Sequence, residues 1–373
     1  MIPVTKPYLP SRERLDEYID GIYERRWLTN NGPLMHQLTQ RLQQYLGVDN
    51  LLLVSNGTLA LQIAYKALGV RDENRALRPE AITTPFTFVA TSSSLQWEGV
   101  RPVFADIDKY SWCLAPENIE AEITDNTRAI VPVHVFGNAC DVESIDKIAQ
   151  KHDLKVVYDA SHAFGVNYNG ESLLRWGDAA TLSFHATKLF HTIEGGAIIF
   201  KRRDDFERAT KLINFGLVGS EIIGGPGINA KMNEFQAAMG LSVLDEIEQN
   251  MTLRRKAVDY YTDALGDLVG LQKYRSGVYS NTSYFPMLLP DENVVLELCN
   301  KLKNIEIYAR RYFFPSLDTV FSEANNQCNV SREVASRILC LPLYSDLTVD
   351  EQKLIVDTVR SVMNEESTYK ESL

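Results

Sequence analysis

Ala179-Ala180-Thr181-Leu182-Ser183-Phe184-His185-Ala186-Thr187-Lys188 is a small, apolar run that leads into a lysine, with Glu194-Gly195-Gly196-Ala197 close behind. A short run of this kind, bounded by turn signals, reads as a strand buried on both faces. A second run, Lys155-Val156-Val157-Tyr158-Asp159, ends in an acid. Ligands of open α/β sheets bind beyond the carboxyl ends of the strands. An amine and a carboxylate at two such ends therefore suit one site, and the pair suits pyridoxal phosphate. The amine holds the aldehyde as a Schiff base, and the acid pairs with the ring nitrogen and makes the ring an electron sink. Taken alone, Lys188 reads as an exposed side chain and Asp159 as a cap on the next turn. The pairing favours chemistry, as does Ala160-Ser161-His162-Ala163, where small residues let a flat ring lie close.

The same alternation extends outward. Leu51-Leu52-Leu53-Val54 precedes Ser55-Asn56-Gly57 and a helix from Thr58 to about Leu68. Ala81-Ile82-Thr83-Thr84 stops at Pro85, and Ile130-Val131-Pro132-Val133 is followed by a helix over Val142 to His152. Upstream, Leu15, Tyr18, Ile19 and Ile22 form one helical face. Leu34, Leu38, Leu42 and Leu46 form another, after the turn Asn30-Asn31-Gly32-Pro33. The pattern predicts an α/β fold with a mostly parallel sheet covered by helices. From Met232 to about Leu265 the pattern is long and helical, with Phe235, Met239, Val243 and Ile247 in one broad apolar stripe, a bridge to a second domain. Tyr284 to Pro290 reads as a strand, and Val294 to Leu302 and Thr348 to Met363 as helices. The expected division is 1–245 for a large α/β domain with N-terminal helices and 246–373 for a small C-terminal α+β domain. The polar tail Asn364 to Leu373 is expected to fray.

Composition narrows the function. The 373 residues are 45% hydrophobic and 23% charged, with a formal net charge of -11. That charge argues against nucleic acid and leaves room for a local basic pocket. The start Met1-Ile2-Pro3-Val4-Thr5-Lys6-Pro7 reads as neither signal peptide nor anchor, and no apolar stretch is long enough for a bilayer. Cys113, Cys140, Cys299, Cys328 and Cys340 are scattered without metal-ligand spacing, so no metal site is expected and a reducing cytoplasm fits.

Further candidates carry weaker signals. Gly57 and Thr58 open a helix after a strand, where N–H groups and the helix dipole favour a phosphate. Ser183 offers a hydroxyl to the same group. His162 reads either as a partner for the cofactor's phenolic oxygen or as a satisfied core histidine. Phe88 reads as a ring that stacks on the cofactor or as core.

As a set, Ser55 to Thr58, Pro85 to Thr91, Val133-His134-Val135-Phe136-Gly137, Asp159 to Ala163, Ser183 to Lys188, Glu194 to Ala197, Asn214-Phe215-Gly216 and Asn229 to Glu234 resemble the DegT/DnrJ/StrS group of sugar-nucleotide aminotransferases. The resemblance covers nearly the whole chain. It implies a fold-type I pyridoxal phosphate enzyme with a large, mostly parallel sheet of the seven-stranded type. It implies Lys188 as the Schiff-base lysine and Asp159 as the pyridine partner, with His162 near the phenolic oxygen. Gly57, Thr58 and Ser183 match the phosphate cradle, and Phe88 the stacking ring. Asn229 matches a residue that reaches the neighbouring subunit's phosphate, which implies a homodimer with shared sites.

His185 and Ile193-Glu194-Gly195-Gly196 look like the branch that aminates C4 of a keto sugar, so His185 is a candidate to position the sugar or share proton transfer. Tyr308-Ala309-Arg310-Arg311-Tyr312 resembles the loop that meets the sugar nucleotide; Arg310 lines up with a diphosphate-binding arginine, Tyr312 lies beside it, and Arg311 leaves the choice open. The implied reaction passes an amino group from L-glutamate, through pyridoxamine phosphate, to C4 of dTDP-4-dehydro-6-deoxyglucose. Membership of lipopolysaccharide O-antigen synthesis is an expectation of the same kind. The galacto epimer, a GDP-linked keto sugar, a non-catalytic sensor that binds pyridoxal phosphate, and a nicotinamide oxidoreductase are the alternatives. The last would want Gly-x-Gly-x-x-Gly after the first strand, which Ser55-Asn56-Gly57-Thr58 does not supply.

Overall fold

A computed structural model of the chain describes residues 1–71, 78–219, 221–321 and 327–371, the last five by backbone alone. Two helices, α1 (Arg12–Arg25) and α2 (Pro33–Leu46), lead into β1 (Leu51–Val54) and α3 (Gly57–Ala67). Next come β2 (Glu80–Thr83), α4 (Ala90–Trp97), β3 (Arg101–Phe104), β4 (Thr127–Val131), α5 (Val142–His152) and β5 (Lys155–Asp159). A two-strand ribbon, β6 (Asn167–Tyr168) and β7 (Glu171–Ser172), precedes β8 (Ala179–Ser183) and β9 (Gly196–Phe200). The central sheet has seven strands in the order β1-β9-β8-β5-β4-β2-β3. Pairing is parallel from β8 across to β3, and β9 runs antiparallel to both neighbours. The mostly parallel sheet expected from the alternation is therefore present.

The strands are apolar without alternation because both sheet faces are covered. Leu51, Leu53, Tyr158 and Leu182 belong to one core; Leu52, Val54, Val157 and Ala179 belong to the other. Successive side chains of a strand point to opposite faces, so one continuous run feeds two cores. Asn56 caps α3 by accepting the Leu59 N–H at 2.8 Å, and Asp141 caps α5 through Ser144 N–H. Such caps fix where each helix begins and therefore what its first turn faces.

After α6 (Arg203–Leu212) the chain departs from expectation. Residues 234–265 form two helices, α7 (Glu234–Asp245) and α8 (Ile247–Leu265), broken at Glu246 with φ -117° and ψ 9°. Phe235 is 41% exposed, whereas Ala237 through Leu244 are all buried. α7 packs against α1 and α2. It is covered nearly all round, and a helix in that position carries no single apolar stripe.

Beyond α8, β10 (Gly270–Leu271), β12 (Pro286–Leu288) and β13 (Ile338–Cys340) form a three-stranded antiparallel sheet; β11 (Val278–Tyr279) joins the β6–β7 ribbon. The strand expected over 284–290 is thus shorter at both ends. Helices α9 (Glu292–Asn304), α10 (Asn329–Arg337) and α11 (Val349–Glu371) complete the chain. A further core gathers Tyr261, Leu265, Met287, Leu298, Leu302, Ile355 and Val359 with Ile2. The tail from Asn364, expected to fray, is assigned to α11 as far as Glu371. α11 packs on α8 and α9, and is tied to α9 by Lys301–Glu365 at 2.7 Å; residues 372 and 373 lie outside the described residues. No helix among the described residues is long and apolar enough to cross a membrane.

Candidate active site

The carboxyl ends of β5 and β8 and the first turn of α3 open into one cleft of about 690 Å³. Gly57, Thr58, Phe88, Asp159, His162, Ser183, His185, Lys188, Arg310 and Tyr312 all line it. Asn229 does not: it is exposed and bridges Asn214 on the protein surface.

Asp159 sits at the end of β5, 6% exposed. One carboxylate oxygen accepts the Ser161 N–H at 3.1 Å and its hydroxyl at 2.6 Å; the other accepts the Thr91 hydroxyl at 2.7 Å. Thr91 has a single hydroxyl proton, which the carboxylate takes, so Thr87 is the donor in their 2.9 Å contact. Three donors hold this buried carboxyl in place and leave lone-pair capacity for one more.

Lys188 lies in the turn after β8, where its backbone N–H donates to the His185 carbonyl at 2.8 Å. Its amine donates to the Tyr284 hydroxyl at 3.3 Å. Burial pulls the ammonium pKa below its ordinary value, against the opposing pull of Asp159 and Tyr312. A lysine tuned this way is more often neutral and so better able to attack a carbonyl or carry a proton. His162 accepts the Phe136 N–H through Nδ1 at 3.2 Å, so its neutral ring carries the proton on Nε2. Burial, and then the Lys188 charge, push its pKa well below the usual histidine range. Its ring is parallel to that of Phe313, with centroids 5.7 Å apart. His162 is thus both buried and on the cleft, which joins the two sequence alternatives. Phe88 is 52% exposed, so it is a cleft ring and not core.

The start of α3 is pressed against β8. A Cβ on Gly57 would lie 2.8 Å from the Ser183 Cβ, and one on Gly196 would lie 2.7 Å from the Asn56 carbonyl. Glycine at these two positions lets the helix terminus, Ser183 and β9 converge. The first N–H groups of any helix lack an intrahelical acceptor, so this concave turn beside a hydroxyl is shaped for an anion. A phosphate group fits these residues.

At the rim, the His185 Nδ1 is held by the Thr187 N–H at 3.3 Å and hydroxyl at 2.8 Å, and its Nε2 lies 3.6 Å from the Glu194 carboxylate. The two arginines of the 308–315 loop part ways. Arg311 pairs with Glu292 at 2.7 Å and the Ser336 carbonyl at 3.0 Å. Arg310 lines the cleft, its guanidinium 4.6 Å from the centre of the Tyr312 ring. Sequence reasoning missed Thr91, Ser161 and Tyr284 as functional neighbours. Thr91 and Ser161 stood inside quoted motifs, and hydroxyls beside a buried acid were a usable signal. Tyr284 comes from an extended segment remote in sequence, and nothing marked it.

The cleft thus gathers a sheet-end amine, a sheet-end acid and a helix N-terminus beside a hydroxyl. The chain belongs to the DegT/DnrJ/EryC1/StrS aminotransferase family, whose sequence pattern matches residues 11–360. It is 43% identical to a dTDP-4-amino-4,6-dideoxy-D-glucose transaminase of Shigella dysenteriae, over 96% of this chain and 98% of that protein. A protein of the same name from Escherichia coli is 37% identical over 93% and 94%. Among solved structures, DesI in the presence of its TDP-sugar product superposes with a TM-score of 0.90 at 31% identity, covering 100% of this chain and 96% of that one.

Proposed function

We propose that the cleft holds pyridoxal phosphate and that the enzyme transfers the amino group of L-glutamate to C4 of dTDP-4-dehydro-6-deoxy-D-glucose. The products are 2-oxoglutarate and dTDP-4-amino-4,6-dideoxy-D-glucose. The observation that carries this reading is the Lys188 amine and the clamped Asp159 carboxylate on one cleft, in a chain 43% identical to a transaminase named for that sugar.

When bound, the cofactor supplies an electron sink for a carbanion. Asp159 would keep the ring nitrogen protonated, while the first N–H groups of α3 at Gly57 and Thr58 and the Ser183 hydroxyl would hold the phosphate. His162 would donate Nε2–H to the ring oxygen, and Phe88 would lie on the ring face. Lys188 would take the proton from glutamate Cα and later deliver one to sugar C4. The Tyr284 hydroxyl keeps that amine aimed. His185, held by Thr187 and Glu194, would orient the sugar, and Arg310 and Tyr312 would meet the diphosphate. In this reading residues 246–373 form a small domain that brings Arg310 and Tyr312 over the cleft.

The same reading has two chains share their sites, with Asn229 reaching the partner's phosphate. Its support is local: antiparallel bridges Asn214–Asn229 and Leu217–Ile223 hold a segment on which Phe215, Val218, Ile222, Ile223 and Ile228 are 45–74% exposed. An apolar surface of this kind marks a contact.

The test is product analysis. The protein is incubated with pyridoxal phosphate, glutamate and dTDP-4-dehydro-6-deoxyglucose, and the proton couplings at sugar C4 are read by NMR. Large couplings on both sides of C4 are expected, for an amine in the gluco configuration. A small coupling to C3 means the galacto epimer. Conversion of the cofactor by glutamate with no aminated sugar discards this acceptor.

A further inference from the structure

Histidines aside, the acidic and basic side chains on the cleft are few. Among the described lining residues they are two acids, Asp159 and Glu194, and two bases, Lys188 and Arg310. Asp159 is occupied by Thr91 and Ser161, Glu194 lies beside His185, and Lys188 is the reacting amine. Arg310 has no carboxylate within salt-bridge distance among the described residues; its sequence neighbour Arg311 takes Glu292. Nor is Arg310 a loose surface arginine. Its N–H donates to the Cys340 carbonyl at 3.1 Å, and its carbonyl accepts the Cys340 N–H at 2.8 Å, which pins the main chain to the edge of β13. The guanidinium rests on the Tyr312 ring. That ring packs edge-on to Tyr284 with centroids 5.9 Å apart, and Tyr284 touches the Lys188 amine. The free cation and the reacting nitrogen thus line one cleft and are joined by contacts through two tyrosines.

The proposed reaction brings two anionic substrates to that nitrogen in turn. Glutamate carries two carboxylates and the nucleotide sugar two phosphates. Each must place its reacting carbon at Lys188, so the second can enter only after the first has left. In a chain of net charge -11, such anions need a local cation. A guanidinium fork matches the oxygens of a carboxylate as well as those of a phosphate. We propose that Arg310 serves both half-reactions: it receives a carboxylate of the amino donor first and the diphosphate of the acceptor second. The inference rests on the function proposed above and adds where the donor is held.

Two readouts test it on the cofactor-loaded enzyme. First, wild type, Arg310→Ala and Arg310→Lys are mixed with glutamate alone, and the absorbance of the bound cofactor is followed through a single turnover. Second, dTDP is titrated calorimetrically with and without glutarate, a dicarboxylate that lacks the amine. Loss of a charge-assisted contact should lower the second-order rate constant of the glutamate half-reaction in Arg310→Ala by about 10- to 100-fold and weaken dTDP by a similar factor. Arg310→Lys, a point charge without the fork, should fall between. Glutarate should compete with dTDP on wild type. Added guanidinium ion should restore part of the Arg310→Ala rate, which a misfolded variant would not show. An Arg310→Ala glutamate half-reaction within about twofold of wild type would overturn the proposal, as would glutarate and dTDP binding without competition. Wild type inert to glutamate would instead remove the function on which the proposal rests.

Discussion

The ends of β5 and β8 and the 308–315 loop face the same cleft and are built in opposite ways. At the strand ends each functional group has its partner: Asp159 takes three hydrogen bonds, His162 takes the Phe136 N–H, and Lys188 meets Tyr284. On the loop, Arg310 is held by its main chain and leaves its guanidinium free for a ligand. In the proposed function, chemistry needs fixed geometry and sits on the sheet, and recognition of a charged, variable partner sits on a connecting segment carried by that scaffold. The two regions should therefore fail differently when mutated.

Lys188→Ala should give the largest effect. Removing the group that carries the proton should cost turnover about 10³-fold or more, with far-UV circular dichroism unchanged. Substantial turnover in that variant would break the division between the two regions, since the sheet end would then not hold the chemistry. Thr91→Val comes next. It leaves a buried carboxylate oxygen without its 2.7 Å donor, and the lost charge-assisted bond should weaken cofactor binding by about 10- to 100-fold. Thr91→Ser should restore most of the affinity, because serine offers the same hydroxyl. Equal cofactor affinity in wild type and the valine variant, measured by fluorescence titration, would show that Asp159 is not held by Thr91.

The same contrast explains what the sequence made legible. Runs such as Leu51 to Val54 and Lys155 to Asp159 are apolar throughout because two cores use them, so strands, sheet and site-bearing ends could be read directly. Lys188 and Asp159 were legible because they stand at those ends. The break at Glu246 was not, since Phe235 and Met239 kept helical spacing while the covering came from α1 and α2, elements remote in sequence. Tyr284 was hidden for the same reason: it reaches Lys188 only through the chain's later fold, within a segment whose local pattern reads as strand. Arg310 and Arg311 are chemically identical neighbours, and only Glu292 and the Cys340 bridge tell them apart.

Arg311→Ala sharpens that last distinction. Arg311 is the structural arginine, so its loss should lower stability by about 1–3 kcal/mol, read from urea unfolding, and change kcat little. A fall in kcat comparable to that of Arg310→Ala would mean the loop acts as one unit.

The smallest effect at neutral pH belongs beneath the sheet end. His134 is fully buried, its ring parallel to Tyr158 with centroids 4.5 Å apart, and its Nδ1 accepts the Cys140 N–H at 3.2 Å. Its Nε2 has no partner, and burial pushes its pKa down from 6.5 to about 3. Between those values the unfolded chain binds a proton at this site that the folded chain does not, so stability rises with pH there. The contribution is fully present above about pH 6.5 and is lost as pH falls toward 3. His134→Asn keeps an acceptor for Cys140 and removes the titration. Its unfolding free energy should follow pH with a shallower slope through that window, and its sensitivity at pH 7 should match wild type. An unchanged acid slope would mean that some other buried group at the strand ends, with His162 the first to replace, sets the acid sensitivity of the rigid half.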